Sequence, residues 1–316
     1  MLISRSSNQG SIGSSAISYD RYNNRIKGFS PFSILNSNSV MRLKSLVSEQ
    51  ERLNPDSTRT TIRALVSNSL IESLSNDGLG QMEARIAIPN VDSSMSLAYF
   101  GRNSSSRRAP KHIIEEELAS IESIIQLPPT TREIALARLD AGGYRIEQLQ
   151  NPTPNQINQL SDLYRATFSA YTFELNEQSV QNMCSNGNIV LVTVSSQNQI
   201  VGALVAEHAT IEVDSSPISL YELSDYATSR EHRGNGAMTA MQIEVINLIR
   251  SLQIGNESII YSENRAPWTP VSVSSHKTGL MDYSGTLEKH CIINADRNIM
   301  ESGNMENLHV FAARGY

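Results

Sequence analysis

The chain has 316 residues, of which 39% are hydrophobic and 18% are charged, and its formal net charge is −6. This length allows one large or two ordinary domains, with enough apolar content for a buried core. No apolar run reaches the roughly 18–20 residues that span a bilayer, and the amino terminus lacks the apolar segment of a secretory signal. Cys184 and Cys291 form no Cys-x-x-Cys motif. We therefore expect a cytoplasmic protein with reduced cysteines, no membrane contact and no metal site.

The charge is distributed unevenly along the chain. Through Lys111 there are 14 Lys and Arg against 8 Asp and Glu, whereas the remainder has 12 against 24. Such an asymmetry predicts two units with different surfaces. The basic residues are scattered and do not alternate with aromatics, so a docking face or plain solvation explains them better than nucleic-acid binding.

The sequence of residues 1–110 predicts a small separate domain. Residues 1–40, rich in Ser, Asn and Gly, predict a flexible lead-in or an irregular cover. Helices are predicted at 39–50 and 57–76, and strands at 82–89 and 95–100. We therefore expect residues 1–110 to form a Ser/Asn-rich region with a small basic α+β domain and no catalytic constellation. Residues 111–142 would follow as a helical connector.

The back of the chain has a regular order of elements. Strands are predicted at 144–149, 189–195, 200–212, from 220 onward, and at 258–262, 283–293 and 307–313. Helices are predicted at 153–167 and 177–184, from the end of the glycine turn to about 252, and at 271–278. Such alternation predicts an α/β fold around one mixed, mostly antiparallel sheet flanked by helices. We expect this unit to span residues 143–316.

One stretch of this region, LYELSDYATSREHRGNGAMTAM (220–241), predicts a ligand site. Gly234 and Gly236 lie between a strand and a helix, where glycine permits unusual backbone angles and a close approach to the amides. The first turn of the helix adds N–H groups without intrahelical partners at the positive dipole end. This arrangement suits a phosphate or pyrophosphate. The spacing fits neither the dinucleotide fingerprint nor a Walker loop, and an isolated Gly-x-Gly would indicate only a tight turn.

The same loop resembles the acyl-CoA loop of the GNAT N-acetyltransferase superfamily. The family pattern is Arg/Gln-x-x-Gly-x-Gly/Ala, matched by Arg233 and Gly236, while Met238 departs from it at the last position. The stretch 222–236, together with 169–173, 279–287 and 305–311, is similar to the β-lysine N-acetyltransferase family over about residues 143–316. The resemblance implies a GNAT-like sheet, here with an extra amino-terminal α+β region. It also implies that the central strand splays from its successor to admit the pantetheine arm of acetyl-CoA.

Acetyl-CoA, as acyl donor, and an amine acceptor are the partners that this resemblance implies. The implied cofactor-binding residues are Tyr226, Ala227, Thr228, Arg233, Gly234, Asn235, Gly236, Ala237 and Met238. The loop amides would face the pyrophosphate and the strand would face pantetheine, with the guanidinium of Arg233 as a charge partner. The alternative for Arg233 is an exposed surface ion pair.

Acetyl transfer to an amine requires a proton acceptor, because an alkyl ammonium is charged at neutral pH. Glu222 is the first candidate and Asp225 the second. Three residues apart on a regular strand, they face opposite sides, so that only a bulge would bring both into one cleft. Glu222 could instead only bind the ammonium of the acceptor.

The departing thiolate requires a proton donor. Many GNAT enzymes have a Tyr four residues before a Gly in the late helix. Here the Gly is Gly279 and the position holds Ser275. The candidates are then Ser275, His276 or water, with Tyr283 as a further possibility.

The resemblance also implies an acceptor pocket and a function. The pocket would be lined by Tyr171, Thr172, Phe173, Trp268, Asn294 and Glu306. The aromatic rings could hold a cation, although each such residue, taken singly, is more often part of a core. The implied function is transfer of an acetyl group to a primary amine, such as a small amino acid or diamine. The alternatives are a catalytically silent acyl-CoA-binding or protein-interaction module, and a protein N-acetyltransferase whose basic front recruits an acidic partner.

Overall fold

A computed structural model describes most of the chain. The described residues are 17–21, 23–30, 35–88, 95–104, 107, 109–168, 175–185, 187–213, 216–252, 257–292 and 305–314. In these ranges, no helix is long and apolar enough to cross a membrane.

The described residues of the front of the chain form five strands and the first four helices. They are β1 (Ile17–Asp20), β2 (Arg25–Phe29), α1 (Ser37–Leu53), β3 (Arg59–Ser67), α2 (Ile71–Leu74), β4 (Gln81–Ala87), β5 (Met95–Asn103), α3 (Lys111–Ile125) and α4 (Arg132–Ala141). Helix α1 begins at a capping box, in which the Asn36 side chain accepts from the Ser39 amide and the Ser39 hydroxyl accepts from the Asn36 amide. These bonds satisfy donors that a helix start leaves open.

Seven strands and four helices lie in the described residues of the back of the chain. They are β6 (Tyr144–Gln148), α5 (Pro154–Thr167), α6 (Glu177–Met183), β7 (Ile189–Ser195), β8 (Ile200–Val213), β9 (Ser216–Thr228), α7 (Ala237–Leu252), β10 (Glu257–Arg265), α8 (Thr269–Lys277), β11 (Met281–Ile292) and β12 (Met305–Ala313). This order and these positions agree with the sequence prediction to within a few residues.

All the described strands belong to one sheet, in the order β1-β2-β3-β5-β4-β11-β12-β10-β9-β8-β7-β6. The pairs β2–β3 and β9–β10 are parallel and the other pairs are antiparallel. The predicted class, a mixed and mostly antiparallel sheet flanked by helices, is confirmed.

Two predictions for the front of the chain are wrong. The predicted helix at 57–76 is mainly the strand β3, followed by short helical turns. Strand β3 buries Ile62 and Val66 in one core and Leu65 in another, so its sequence shows no alternation to reveal a strand. The predicted irregular segment 1–40 contains β1 and β2, which bury Ile17 and Ile26.

The sheet folds over so that its two halves face each other. Leu65, Leu97 and Tyr99 of the front half share one hydrophobic core with Leu220 and Ile259 of the back half. Apolar burial of this kind is the main stabilising term in folding. The strands of the front half therefore cover one face of β9 and β10. The division into residues 1–110, 111–142 and 143–316 stays a prediction.

Helices cover the remaining faces. Helix α1 packs Val40, Leu43 and Val47 on the outer face of the front half. In the back half, α5 and α6 lie on the face of the sheet that carries Ala227. Helix α7 lies on the opposite face, where its Met241 and Val245 meet Leu223. Both faces of β9 therefore end beside helices, and this frames the candidate site.

Candidate active site

Strands β9 and β10 pair only along part of their length. Their parallel register runs from Ile218 and Glu257 to Leu223 and Ser262. Both strands continue beyond that point, to Thr228 and Arg265. The registered pairing therefore ends inside both strands, where a ligand could enter between them.

A β-bulge lies in β9 just past this point. Against β8, the register passes from Val205–Ser224 to Ala203–Ala227, so that β9 has an extra residue. Asp225 there has a φ of 53°, which is unusual for a residue other than glycine. A bulge re-aims the side chains that follow it. The sequence left open whether a bulge intervenes between Glu222 and Asp225; the register stays regular through Ser224, and the bulge begins at Asp225.

Unpartnered polar atoms cluster on the α7 side of the parting strands. Among the described residues, Asn264 Oδ1 and His309 Nε2 are buried without a hydrogen-bond partner. The buried Tyr226 hydroxyl lies beside them, against the hydroxyls of Ser262 and Ser275. Buried polar groups in folded proteins are nearly always paired, so these atoms suit a ligand that has donors and acceptors of its own. The amides and carbonyls of a pantetheine arm would meet that requirement.

Ser275, the first candidate proton donor, lies in this cluster. It is fully buried on α8, and its hydroxyl accepts from Asn264 Nδ2 at 3.0 Å. The phenol of Tyr226 lies near Ser275 and Ser262, and burial raises its pKa. His276, by contrast, faces α3, with Nε2 3.0 Å from the Leu127 carbonyl.

The glycine loop has the backbone that its sequence predicts. Gly234 and Gly236 have φ of 82° and 77°, in the left-handed region that glycine occupies without strain. Between them, Asn235 Nδ2 donates to the Tyr144 hydroxyl at 3.1 Å and to the His232 carbonyl at 3.3 Å. These bonds hold the loop directly before α7. The first turn of α7, which includes Ala237, carries N–H groups without intrahelical partners.

Arg233 joins the loop to the end of β9. Its Nε donates to the Thr228 carbonyl at 3.1 Å, and the residue is exposed. The loop, the helix start and the segment Tyr226–Thr228 are therefore contiguous, as the implied cofactor path requires.

Glu222 lies on the opposite face of β9, in a charged cavity of about 90 Å³ between the two halves. The cavity is lined by Arg25, Lys27, Thr61, Arg63, Tyr99, Glu222, Glu263 and His290. Glu222 lies one residue before the last paired residue of β9, so the cavity adjoins the point where the strands part.

Arg63 holds the two carboxylates of this cavity. Its Nη1 lies 3.4 Å from Glu222 Oε2 and 3.5 Å from Glu263 Oε1, and donates to the Tyr261 hydroxyl at 3.0 Å. The Tyr261 hydroxyl donates in turn to Glu222 at 3.2 Å. The guanidinium also stacks over the Phe29 ring, with 4.2 Å between Cζ and the ring centroid.

The carboxylates in this cavity differ in electrostatic setting. Burial raises the pKa of Glu263, the charge of Glu222 raises it further, and Arg63 opposes both effects. Burial alone would also raise the pKa of a third carboxyl nearby, that of Asp20, but Arg25 and Lys27 hold it well below its usual range. Glu263 is therefore easier to protonate than Asp20.

Several predicted site residues lie elsewhere. Asp225 lies near Tyr164 of α5. Burial raises the pKa of the Tyr164 hydroxyl, and the charge of Asp225 raises it further. Trp268 precedes α8 and is 52% exposed. Glu306 pairs with Arg265, at 2.7 Å between Oε1 and Nη2. Neither Trp268 nor Glu306 lines the charged cavity.

The remaining candidates have other settings or lie outside the described residues. The Tyr283 hydroxyl is hydrogen-bonded to Thr286 Oγ1 at 2.7 Å. Tyr171, Thr172, Phe173 and Asn294 lie outside the described residues.

Sequence reasoning missed Arg63, Lys27 and Glu263 as site residues. A local signal exists for Arg63, since a charged residue stands among the buried apolar residues of β3. Nothing local indicates that its partner is Glu222, because the two meet only when the sheet folds over.

Comparisons with known proteins give structural likeness alone. No protein-family model and no curated protein matches the sequence. Similar solved structures include the ribosomal-protein-S18-alanine N-acetyltransferase of Escherichia coli, with 9% identity, TM-score 0.40, and 54% of this chain and 92% of that chain covered. A GNAT-family acetyltransferase of Streptococcus pneumoniae has 13% identity, TM-score 0.39, and coverages of 54% and 98%. A probable N-acyltransferase of Enterococcus faecalis has 12% identity and TM-score 0.32, and the match spans 38% of this chain and only 29% of that protein.

Proposed function

We propose that the protein is an N-acetyltransferase that moves an acetyl group from acetyl-CoA to the primary amine of a small acceptor, such as an amino acid or a diamine. The observation that carries this proposal is the parting of β9 and β10 beyond Leu223 and Ser262. A carboxylate, Glu222, lies on one face of that opening, and unpartnered buried polar atoms lie on the other.

Acetyl-CoA would lie along the contiguous segment from Tyr226 to the start of α7. The amides of the Gly234–Gly236 loop and of the first turn of α7 suit the pyrophosphate. The polar atoms around Tyr226 and Asn264 suit the pantetheine amides. Holding both substrates in register supplies a large share of the rate in such a reaction.

The chemistry needs two protons removed from the acceptor nitrogen and one supplied to the sulfur. The ammonium of the acceptor loses its first proton to Glu222, and the neutral nitrogen attacks the thioester carbon. A C–N bond forms, the C–S bond breaks, the nitrogen loses its second proton to give the amide, and the thiolate that leaves takes one proton, so that one proton is released overall. Ser275 and the Tyr226 hydroxyl lie on the α7 side, opposite Glu222, where the sulfur would depart.

Turnover with an acceptor panel tests this proposal. Purified full-length protein is given acetyl-CoA with amino acids, diamines and peptides, and thiol release is measured with the acetylated product. Acetylation of small amines is the expected result. Activity on peptides alone would indicate a protein N-acetyltransferase. A thermal shift with acetyl-CoA but no turnover of any acceptor would indicate a silent acyl-CoA-binding module, and no response at all would overturn the proposal.

A further inference from the structure

The charged cavity is formed by both halves of the chain. Lys27 lies on β2, Arg63 on β3 and Tyr99 on β5, while Glu222 and Glu263 come from β9 and β10. The front half therefore supplies part of the wall of the site in which Glu222 lies.

The two ends of this cavity differ in charge. At one end, the two carboxylates of Glu222 and Glu263 both pair with Arg63. Beside them lies the Tyr99 hydroxyl, which is fully buried and has no partner among the described residues. This end suits an ammonium, which can donate to both carboxylates and to the phenol oxygen.

At the other end, the two cations Arg25 and Lys27 both pair with Asp20. Asp20 Oδ2 lies 3.0 Å from Arg25 Nε and 3.3 Å from Lys27 Nζ. Lys27 also lines the cavity and keeps 32% of its side chain exposed. This end therefore has the positive charge to accept an anion.

The strand register separates these ends. On the parallel pair β2–β3, Lys27 lies opposite Thr61, and Phe29 lies opposite Arg63. Two residues along a strand span about 7 Å, so the backbone position of Lys27 lies about 7 Å along the strands from that of Arg63. With Asp20 included, the three cations of the cavity balance its three carboxylates. A ligand with one positive and one negative group would match both ends and leave that balance unchanged.

We infer that this cavity is the acceptor site of the proposed acetyltransferase and that its basic end, formed by Lys27 and Arg25 of the front half, binds a carboxylate on the amine acceptor. The inference rests on the proposed function and narrows its acceptor class, because it favours amino acids over diamines. The front half thus acts as the part of the enzyme that selects the acceptor.

Matched acceptor pairs test this inference. Each pair is an amino acid and the amine that remains when its carboxylate is removed, such as L-lysine and cadaverine. We expect the KM of at least one amino acid to be tenfold or more below that of its decarboxylated partner, because a charge-assisted hydrogen bond is lost with the carboxylate. An amine that is acetylated as well as its amino acid in every pair would overturn the inference and leave the acetyltransferase proposal standing.

Substitution of Lys27 identifies the group that recognises the carboxylate. Lys27→Met should remove the preference within a pair, by raising the KM of the amino acid and leaving that of the amine unchanged. Lys27→Arg should retain it. Lys111→Met is the matched control and should behave as the parent, because this exposed lysine pairs with Glu115 on α3 and does not line the cavity. An unchanged preference in Lys27→Met would also overturn the inference.

Calorimetric titration in the presence of CoA gives the Kd of the amino acid and of the amine in each pair, and so the preference between them, without requiring turnover. Selective binding of an amino acid without turnover would support the carboxylate site and contradict the acetyltransferase proposal. If no amino acid in the panel binds or is acetylated, the inference is wrong.

Discussion

Arg63 and Glu222 are 159 positions apart in the chain, yet Nη1 of the first lies 3.4 Å from Oε2 of the second. Arg63 is half-buried and its guanidinium packs over the Phe29 and Tyr99 rings, which limits its freedom to turn away. Burial disfavours the charged guanidinium, but the surrounding Glu and Tyr side chains keep the pKa of Arg63 well above its ordinary value. A permanent cation therefore stands beside the proposed base.

The first prediction concerns the base. Glu222→Gln keeps the shape of the side chain and removes its charge. We expect a loss of kcat at neutral pH that is partly recovered at high pH, where the amine is already neutral. A rise in KM with unchanged kcat would show that Glu222 only anchors the ammonium. Asp225→Asn is the comparison, and because Asp225 lies near Tyr164 and outside the charged cavity, it should change the rate less.

The second prediction concerns the glycine loop. Gly236 has a φ of 77°, and an added Cβ would lie 3.4 Å from Arg138 Cδ. Gly236→Val should strain the loop by about 1–3 kcal/mol and shield its amides. Acetyl-CoA should raise the melting temperature of the parent by mass action and fail to do so for this variant. A full thermal shift in a folded Gly236→Val protein would contradict the cofactor assignment.

The third prediction concerns the Tyr226 hydroxyl. If it donates to the departing thiolate, Tyr226→Phe should lower kcat tenfold or more with little change in the KM for acetyl-CoA. The matched control is Tyr164→Phe, since Tyr164 also has a buried hydroxyl. Equal activity of both variants and the parent would assign Tyr226 a packing role only.

The fourth prediction concerns truncation. A chain beginning at Ala141 would be soluble and bind CoA if residues 143–316 fold alone. Because Leu220, Ile259, Tyr261 and Val310 lose the front half of their core in such a chain, we expect aggregation or loss of the cooperative melting transition. A soluble truncated chain with a normal thermal shift would contradict this expectation and support a separate domain.

The fifth prediction concerns pH. Burial lowers the pKa of His309 to about 4, so the folded protein holds this side chain neutral. Between about pH 6.5 and pH 4 the unfolded chain binds the proton and the folded chain does not, which should lower the free energy of unfolding by up to about 3 kcal/mol. Urea titrations across this range should show the fall, and His309→Gln should flatten it. An equal slope in the variant would assign the effect to another group, such as His290.

The sequence predicted the back half of the fold well because its signals are local. The strand Ile189–Ser195 ends at a polar turn, and the helix α5 begins at the capping pair Thr153 and Gln156. Strand β3 was missed because both its faces are buried, and periodicity cannot reveal such a strand.

The candidate site also has one part that the sequence predicted and another that it did not. The loop Gly234–Gly236 and Glu222 were predicted because their spacing follows a known pattern along one strand and one helix. Arg63, Lys27 and Glu263 could not be found, since their roles depend on which strands the folded sheet brings face to face. The charged residues of the front half looked scattered in the sequence and converge only in three dimensions.

The join between the halves has a consequence for how the protein is made. Strands β4 and β11 meet at one registered pair, Ala84 and Gly285, about 200 positions apart. An added Cβ on Gly285 would lie 2.2 Å from the Glu83 carbonyl oxygen, so the seam admits only glycine there. During synthesis, the face of the front half that carries Leu65 and Leu97 stays uncovered at least until β9 and β10 have been made. The nascent chain is exposed to aggregation during that interval, and a chaperone that shields this face would act before β9 and β10 are made.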